Sequence, residues 1–98
     1  MPITLSHAEE DYLKAIYELA EETGRVSTSA LAHQLVLKDG TVTGMLQKLA
    51  ERKPRLVNYE RHRGVSLTSA GEQIALEIIR HHRLIELYLA EALSLIHI

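Results

Sequence analysis

A mostly α chain, built as a winged helix-turn-helix and followed by a long C-terminal helix, is what these 98 residues predict. Three observations carry that expectation. Apolar residues recur at helical spacing in three stretches before Pro54, with the tight turn "VLKDG" between the second and third. The period then changes from 3.6 to 2 on either side of "RHRG", as a β-hairpin requires. A single long apolar-periodic run from about Ser69 closes the chain. Two short helices joined by a tight turn, then a hairpin, make the winged topology.

The first helix opens on Ser6 with Glu9 three residues on, a capping box in which each side chain satisfies the other's backbone N–H. Tyr12, Leu13, Ile16, Tyr17, Leu19 and Ala20 then repeat at helical spacing until Thr23-Gly24. Arg25-Val26 reads as a short extended link. Ser27 can cap a second helix, whose Ala30, Leu31 and Leu35 fall on one face. Asp39 is a natural cap for a third helix from Gly40 to about Lys53, with Val42, Met45, Leu46 and Leu49 inward. Pro54 ends it by removing a backbone donor and biasing Lys53 away from helix. Leu56–Glu60 and Val65–Leu67 are the strands, with Gly64 supplying a positive φ. Thr68 or Ser69 caps the last helix, which runs to about Leu93, roughly 37 Å at ~1.5 Å per residue.

Bulk properties narrow the function classes. With 46% hydrophobic and 24% charged residues the chain has the makings of one folded domain rather than a disordered one. The four tyrosines are its only aromatics, so the core rests on Leu, Ile, Val and Ala. The absence of cysteine rules out disulfides and thiolate metal sites and is compatible with a cytoplasmic location. The N-terminus lacks a signal-peptide layout, and no run reaches the ~18 apolar residues of a membrane span. No HExxH, phosphate-binding glycine loop or nucleophile elbow is present, so nothing points to an enzyme. Net charge is −2, yet Lys48, Arg52, Lys53, Arg55, Arg61 and Arg63 crowd one stretch against only Glu51 and Glu60.

That stretch overlaps the third helix and the hairpin. A recognition helix enters the major groove by its N-terminal part. Here Lys38, Gly40, Thr41, Gly44, Gln47 and Lys48 fall outward, and Thr41 and Thr43 have hydroxyls for phosphate or base edges. The same Thr and Gly residues also suit plain turn and cap chemistry. Arg61, His62 and Arg63 sit at the tip of the wing, either on phosphates and a minor groove or simply in water. In "IIRHHRLIEL", His82 and Glu86 are four apart and share a helix face, with His82 continuing the stripe of Ala75, Ile78 and Ile79. That spacing suits either one chelated ion or a hydrogen-bonded structural pair. His81 points toward solvent, and His7, His33, His62 and His97 read as surface residues.

Three ordered motifs, "AEEDYLKAIYELAEETGRVSTSALAHQL", "TVTGMLQKLAE" and "HRGVSLTSAGEQIALEIIRHHRLIELYL", resemble the N-terminal half of the diphtheria-toxin-repressor family of iron- or manganese-dependent transcriptional repressors. The resemblance covers roughly residues 6–93. It implies a homodimer that binds a palindromic DNA operator when loaded with Mn²⁺ or Fe²⁺. By position, it implies metal ligation by Asp11, His82 and Glu86. With a repressor as the reading, the expected DNA contacts are Ser27, Lys38, Gly40, Thr41, Thr43 and Lys48, with Arg61 and Arg63 on the wing.

Departures from the family pattern matter too. Some manganese-sensing members carry a second carboxylate where this chain has Lys14, so a two-metal site of that type is not expected. The carboxylate at Asp11 still leans toward manganese, because hard oxygen ligands suit hard ions. The link "ERKPRLV" is longer than the usual form and lacks its glycine, and the tail "SLIHI" does not match the family's continuation. The expected division is a DNA-binding domain over residues 1–68 and, over 69–98, the start of a truncated dimerisation and metal-binding domain. The competing expectation is a metal-independent winged-helix module that binds DNA or a protein partner.

Overall fold

The computed structural model describes residues 4–96; His97 and the last residue of the tail lie outside the described residues. The elements follow as α1 (His7–Thr23), α2 (Thr28–Leu35), α3 (Asp39–Glu51), β1 (Val57–Glu60), β2 (Gly64–Leu67) and α4 (Ser69–Ile96). The winged helix-turn-helix with a long final helix is therefore the fold.

Local chemistry explains most boundaries. Ser6 Oγ accepts from the Glu9 N–H at 3.2 Å while the Glu9 carboxylate accepts from the Ser6 N–H at 3.1 Å, so the capping box is complete. Gly24, at φ 79°, stops α1 in a conformation that side chains avoid, and its N–H donates to the Ala20 carbonyl at 2.7 Å. Ser27 caps α2 by accepting from the Ala30 N–H at 3.0 Å. The buried face of α2 is Leu31 and Ala32 with Leu35 half-buried, and Ala30 is exposed. Spacings of one and four fit that face, which turns Ala30 outward.

The ends of α3 differ from expectation. Lys38, not Asp39, holds the cap position, with no side-chain cap bond. Asp39 is the first helical residue, where its charge suits the positive end of the helix. The helix stops at Glu51, and Arg52 is already extended at φ −66° and ψ 158°.

The wing pairs Val57 with Leu67 and Glu60 with Gly64 in antiparallel register. The Arg25-Val26 link joins it: Val26 and Val65 exchange backbone hydrogen bonds of 3.0 and 2.8 Å. Gly64 has φ 93°, and a Cβ there would strike the Val26 carbonyl, so the turn and the close approach both require glycine. Thr68, rather than Ser69, caps α4. Its hydroxyl accepts from the Gly71 N–H at 3.1 Å and donates to the Arg55 carbonyl at 2.6 Å. With no Gly or Pro to stop it, α4 continues past Leu93 to Ile96.

Leu13, Ile16, Leu31, Val42, Leu46, Leu49, Leu56, Val57, Val65 and Ala75 form one fully hidden core drawn from every element. The first turns of α4 pack on it through Ala75 and the partly buried Ala70 and Ile74. Beyond them Leu76, Ile78, Ile79 and His82 are still half-buried, and from Arg83 onward nearly every described side chain of α4 is exposed.

Candidate nucleic-acid interface

The inward face of α3 is fixed by Val42, Leu46 and Leu49, all fully buried, with Met45 half-buried. That anchoring turns Lys38, Gly40, Thr41, Gly44, Gln47 and Lys48 outward and exposed, as the spacing predicts, and leaves Thr43 half-buried at the edge. A Cβ added at Gly40 or Gly44 would meet nothing within 4 Å. Neither glycine is required by packing, and Gly44, inside the helix, costs it about 1 kcal/mol relative to alanine. Their effect is a stretch of bare backbone on the outward face. Ser27 is exposed at the start of α2; its oxygen is engaged in the cap, and its O–H remains free to donate.

Across from α3, the wing tip holds Arg61, His62 and Arg63, all exposed. Glu60 forms loose ion pairs with Arg63 at 3.6 Å and with Arg25 at 3.8 Å, all on the surface. Pairs of that kind are worth little and are easily exchanged for a phosphate. The remaining bases of the stretch divide. Lys48 and Lys53 are exposed, Arg55 Nε donates to the Ala50 carbonyl at 3.2 Å, and Arg52 turns inward.

Arg52 meets the buried carboxylate of Glu9 at 2.6 Å and donates a second bond to the Thr4 carbonyl at 2.9 Å. Burial pushes the Glu9 carboxyl up, but the Ser6 N–H and the bond and charge of Arg52 outweigh it, so Glu9 sits below the ordinary carboxylate range. Sequence reading assigned Glu9 to the capping box alone and Arg52 to the basic patch. No local pattern links residues 43 apart.

The histidine segment is a separate region. His82 is half-buried and lines a groove with Leu5, Glu10, Ile74, Glu77, Ile78 and His81. Glu86 is exposed one turn further along α4. Asp11 is also exposed and lines a different groove, with Lys14, Ala15, Glu18, Gln34 and Leu35. The three expected ligands are thus not gathered at one point. Among the described residues no three His, Asp or Glu side chains are placed to hold a metal ion. Glu10 and Glu77, which the sequence did not single out, are the carboxylates beside His82. Helix spacing pairs Glu77 with His81, four residues on, rather than with His82, and Glu10 lies on another helix.

Solved structures confirm the fold. A transcription regulator of a Staphylococcus aureus multidrug efflux pump, MepR, superposes with a TM-score of 0.69 at 16% identity, covering 90% of this chain and 65% of its own. The CbnR DNA-binding domain, solved with DNA, gives 0.62 at 20% identity, covering 92% and 97%. At the level of sequence, the HTH-type transcriptional regulator MntR of Bacillus subtilis is 40% identical over 80 residues, 82% of this chain. This chain spans only 55% of that relative's length. An uncharacterized HTH-type transcriptional regulator of Methanocaldococcus jannaschii, MJ0568, is 38% identical over 92 residues, 93% of this chain and 72% of its own. These relatives are regulators, not enzymes. The model of the "Iron dependent repressor, N-terminal DNA binding domain" matches residues 4–65, most of the winged body, and on that match and these identities the chain belongs to the iron-dependent repressor family.

Proposed function

We propose that this chain is the DNA-binding part of a metal-dependent transcriptional repressor. The carrying observation is the outward face of α3, where Gly40, Thr41, Gly44, Gln47 and Lys48 are exposed above a fully buried opposite face. Lys38, Gly40, Thr41, Thr43 and Lys48 meet a duplex from α3, Ser27 from the start of α2, and Arg61 and Arg63 from the wing. The bare backbone at Gly40 and Gly44 lets the helix approach base edges closely, and the wing arginines bind phosphates.

The genes it represses serve metal homeostasis, a reading supported by a family described as iron dependent. The operator is palindromic and is bound by a homodimer in the cytoplasm. No helix among the described residues is long and apolar enough to cross a membrane. Residues 1–68 make the DNA-binding domain and 69–98 begin the dimerisation and metal-binding domain. The regulating ion is Mn²⁺ or Fe²⁺, with the carboxylate at Asp11 favouring manganese. His82 and Glu86 are the two donors that one face of α4 offers, and with Asp11 on a separate groove the described residues do not by themselves make a site.

Fluorescence anisotropy with a duplex that the chain selects from a random-sequence pool tests the reading. The expected result is binding that weakens steeply with salt. The double substitution Arg61→Ala/Arg63→Ala lowers the logarithmic salt slope by about 0.9 per lost phosphate contact. Absence of binding at low salt, with Mn²⁺ added, would sink the proposal.

A further inference from the structure

The recognition helix is held unequally at its two ends. At the N-terminal end Lys38 makes no side-chain cap bond. At the C-terminal end Arg52 leaves the helix and turns back on the segment that opens α1. Its guanidinium donates to Glu9 Oε2 at 2.6 Å and to the Thr4 carbonyl at 2.9 Å. Glu9 is itself immobilised: its side chain is 5% exposed and its other oxygen accepts from the Ser6 N–H at 3.1 Å.

We propose that Glu9 and Arg52 are a positioning pair for DNA binding, fixing the direction in which α3 presents its outward face. This rests on the reading of α3 as the DNA-facing helix. The inward contacts of α3 are aliphatic, through Val42, Leu46 and Leu49. Such contacts set distance but carry little direction. A planar guanidinium bonded to two acceptors on one short segment does carry direction. Leverage makes that matter. Over a helix about 20 Å long, a tilt of about 10° at Arg52 displaces Gly40 by about 3 Å. Hydrogen bonds to base edges tolerate far less. Buried ion pairs can often be replaced by apolar residues without loss of stability, so the geometry of this pair, more than its energy, is what α3 depends on.

The test measures affinity and salt slope of the 98-residue chain on a duplex the parent selects from a random-sequence pool, below each variant's melting temperature. Glu9→Gln removes a negative charge, which by charge alone would strengthen binding to DNA. The expected result is instead a roughly tenfold weakening, the size of one disrupted base-pair contact. Arg52→Met weakens binding similarly and leaves the salt slope unchanged, whereas loss of a phosphate-binding arginine would lower it by about 0.9. Arg52→Lys recovers part of the affinity. Glu9→Met/Arg52→Met leaves no buried charge unpaired, so it folds, and it still binds weakly. Unchanged or tighter binding by Glu9→Gln, or a lower slope for Arg52→Met, overturns the proposal. A parent that binds while every variant matches it overturns this pair alone. A parent that binds no duplex overturns the reading of α3 and this proposal with it.

Discussion

The winged body and the far half of α4 are built on opposite terms. In the body, residues from all three short helices, both strands and the first turns of α4 close around one core, and its largest side chains are fully hidden. From Arg83 onward, nearly every described side chain of α4 is exposed, and Leu84, Leu87, Tyr88, Leu89 and Leu93 are each more than half exposed. Apart from Val36 and Leu37 in the turn between α2 and α3, the body buries its described large apolar side chains at least in part, whereas the far half of α4 carries apolar surface that no other described element covers. Exposed apolar patches of this kind are typical of surfaces that contact a protein, a membrane or a ligand. The two regions therefore divide the work: the body presents α3 and the wing, and α4 extends away from them.

The largest effect expected on this contrast is in the core of the body. Leu46→Ala removes a fully buried side chain beneath the outward face of α3 and should cost about 3 kcal/mol, read as a fall in melting temperature. A cost below about 1 kcal/mol would mean that α3 is not held by that core.

Acid should act next, and again on the body. Because Glu9 is held below the ordinary carboxylate range in the fold, its contribution is present at neutral pH and is lost as pH falls through its folded value. Melting temperature should therefore drop on acidification, and Glu9→Gln should flatten that acid limb. An identical acid limb in parent and variant would remove Glu9 as its source.

The smallest effect belongs to the far half of α4. Leu87→Ser changes a side chain that is 58% exposed and should alter stability of the isolated chain by no more than about 0.5 kcal/mol. A large loss would show that the exposed stripe is already packed in solution, against a second copy.

How far the sequence reached depended on the range of each signal. The capping box at Ser6 and Glu9, the Ser27 cap and the hairpin glycine at Gly64 are local devices, and each stands where the residues place it. Periodicity likewise identified the buried and outward faces of α3. It misplaced Ala30 for Ala32 on α2, because eight residues are too few to fix the phase of a helix. Long-range features were invisible. The Arg52 guanidinium reads as one more base in a patch until the fold brings Glu9 beneath it. Val26 reads as a link until it pairs with Val65. At the histidine segment, helix phase correctly turned His82 inward, but the carboxylate that α1 presents beside it is Glu10, one residue from the position that resemblance marks. A shift of one residue is about 100° of helix rotation, which only the packing of α1 against α4 decides.

The most direct measurement is a map of backbone amide shifts as a selected duplex is titrated into the chain at low salt. The account predicts the largest changes at Gly40, Thr41, Gly44, Gln47 and Lys48 and at the Arg61–Arg63 turn, with residues 84–93 of α4 unmoved. Changes concentrated on the far half of α4, with α3 and the wing silent, would contradict it.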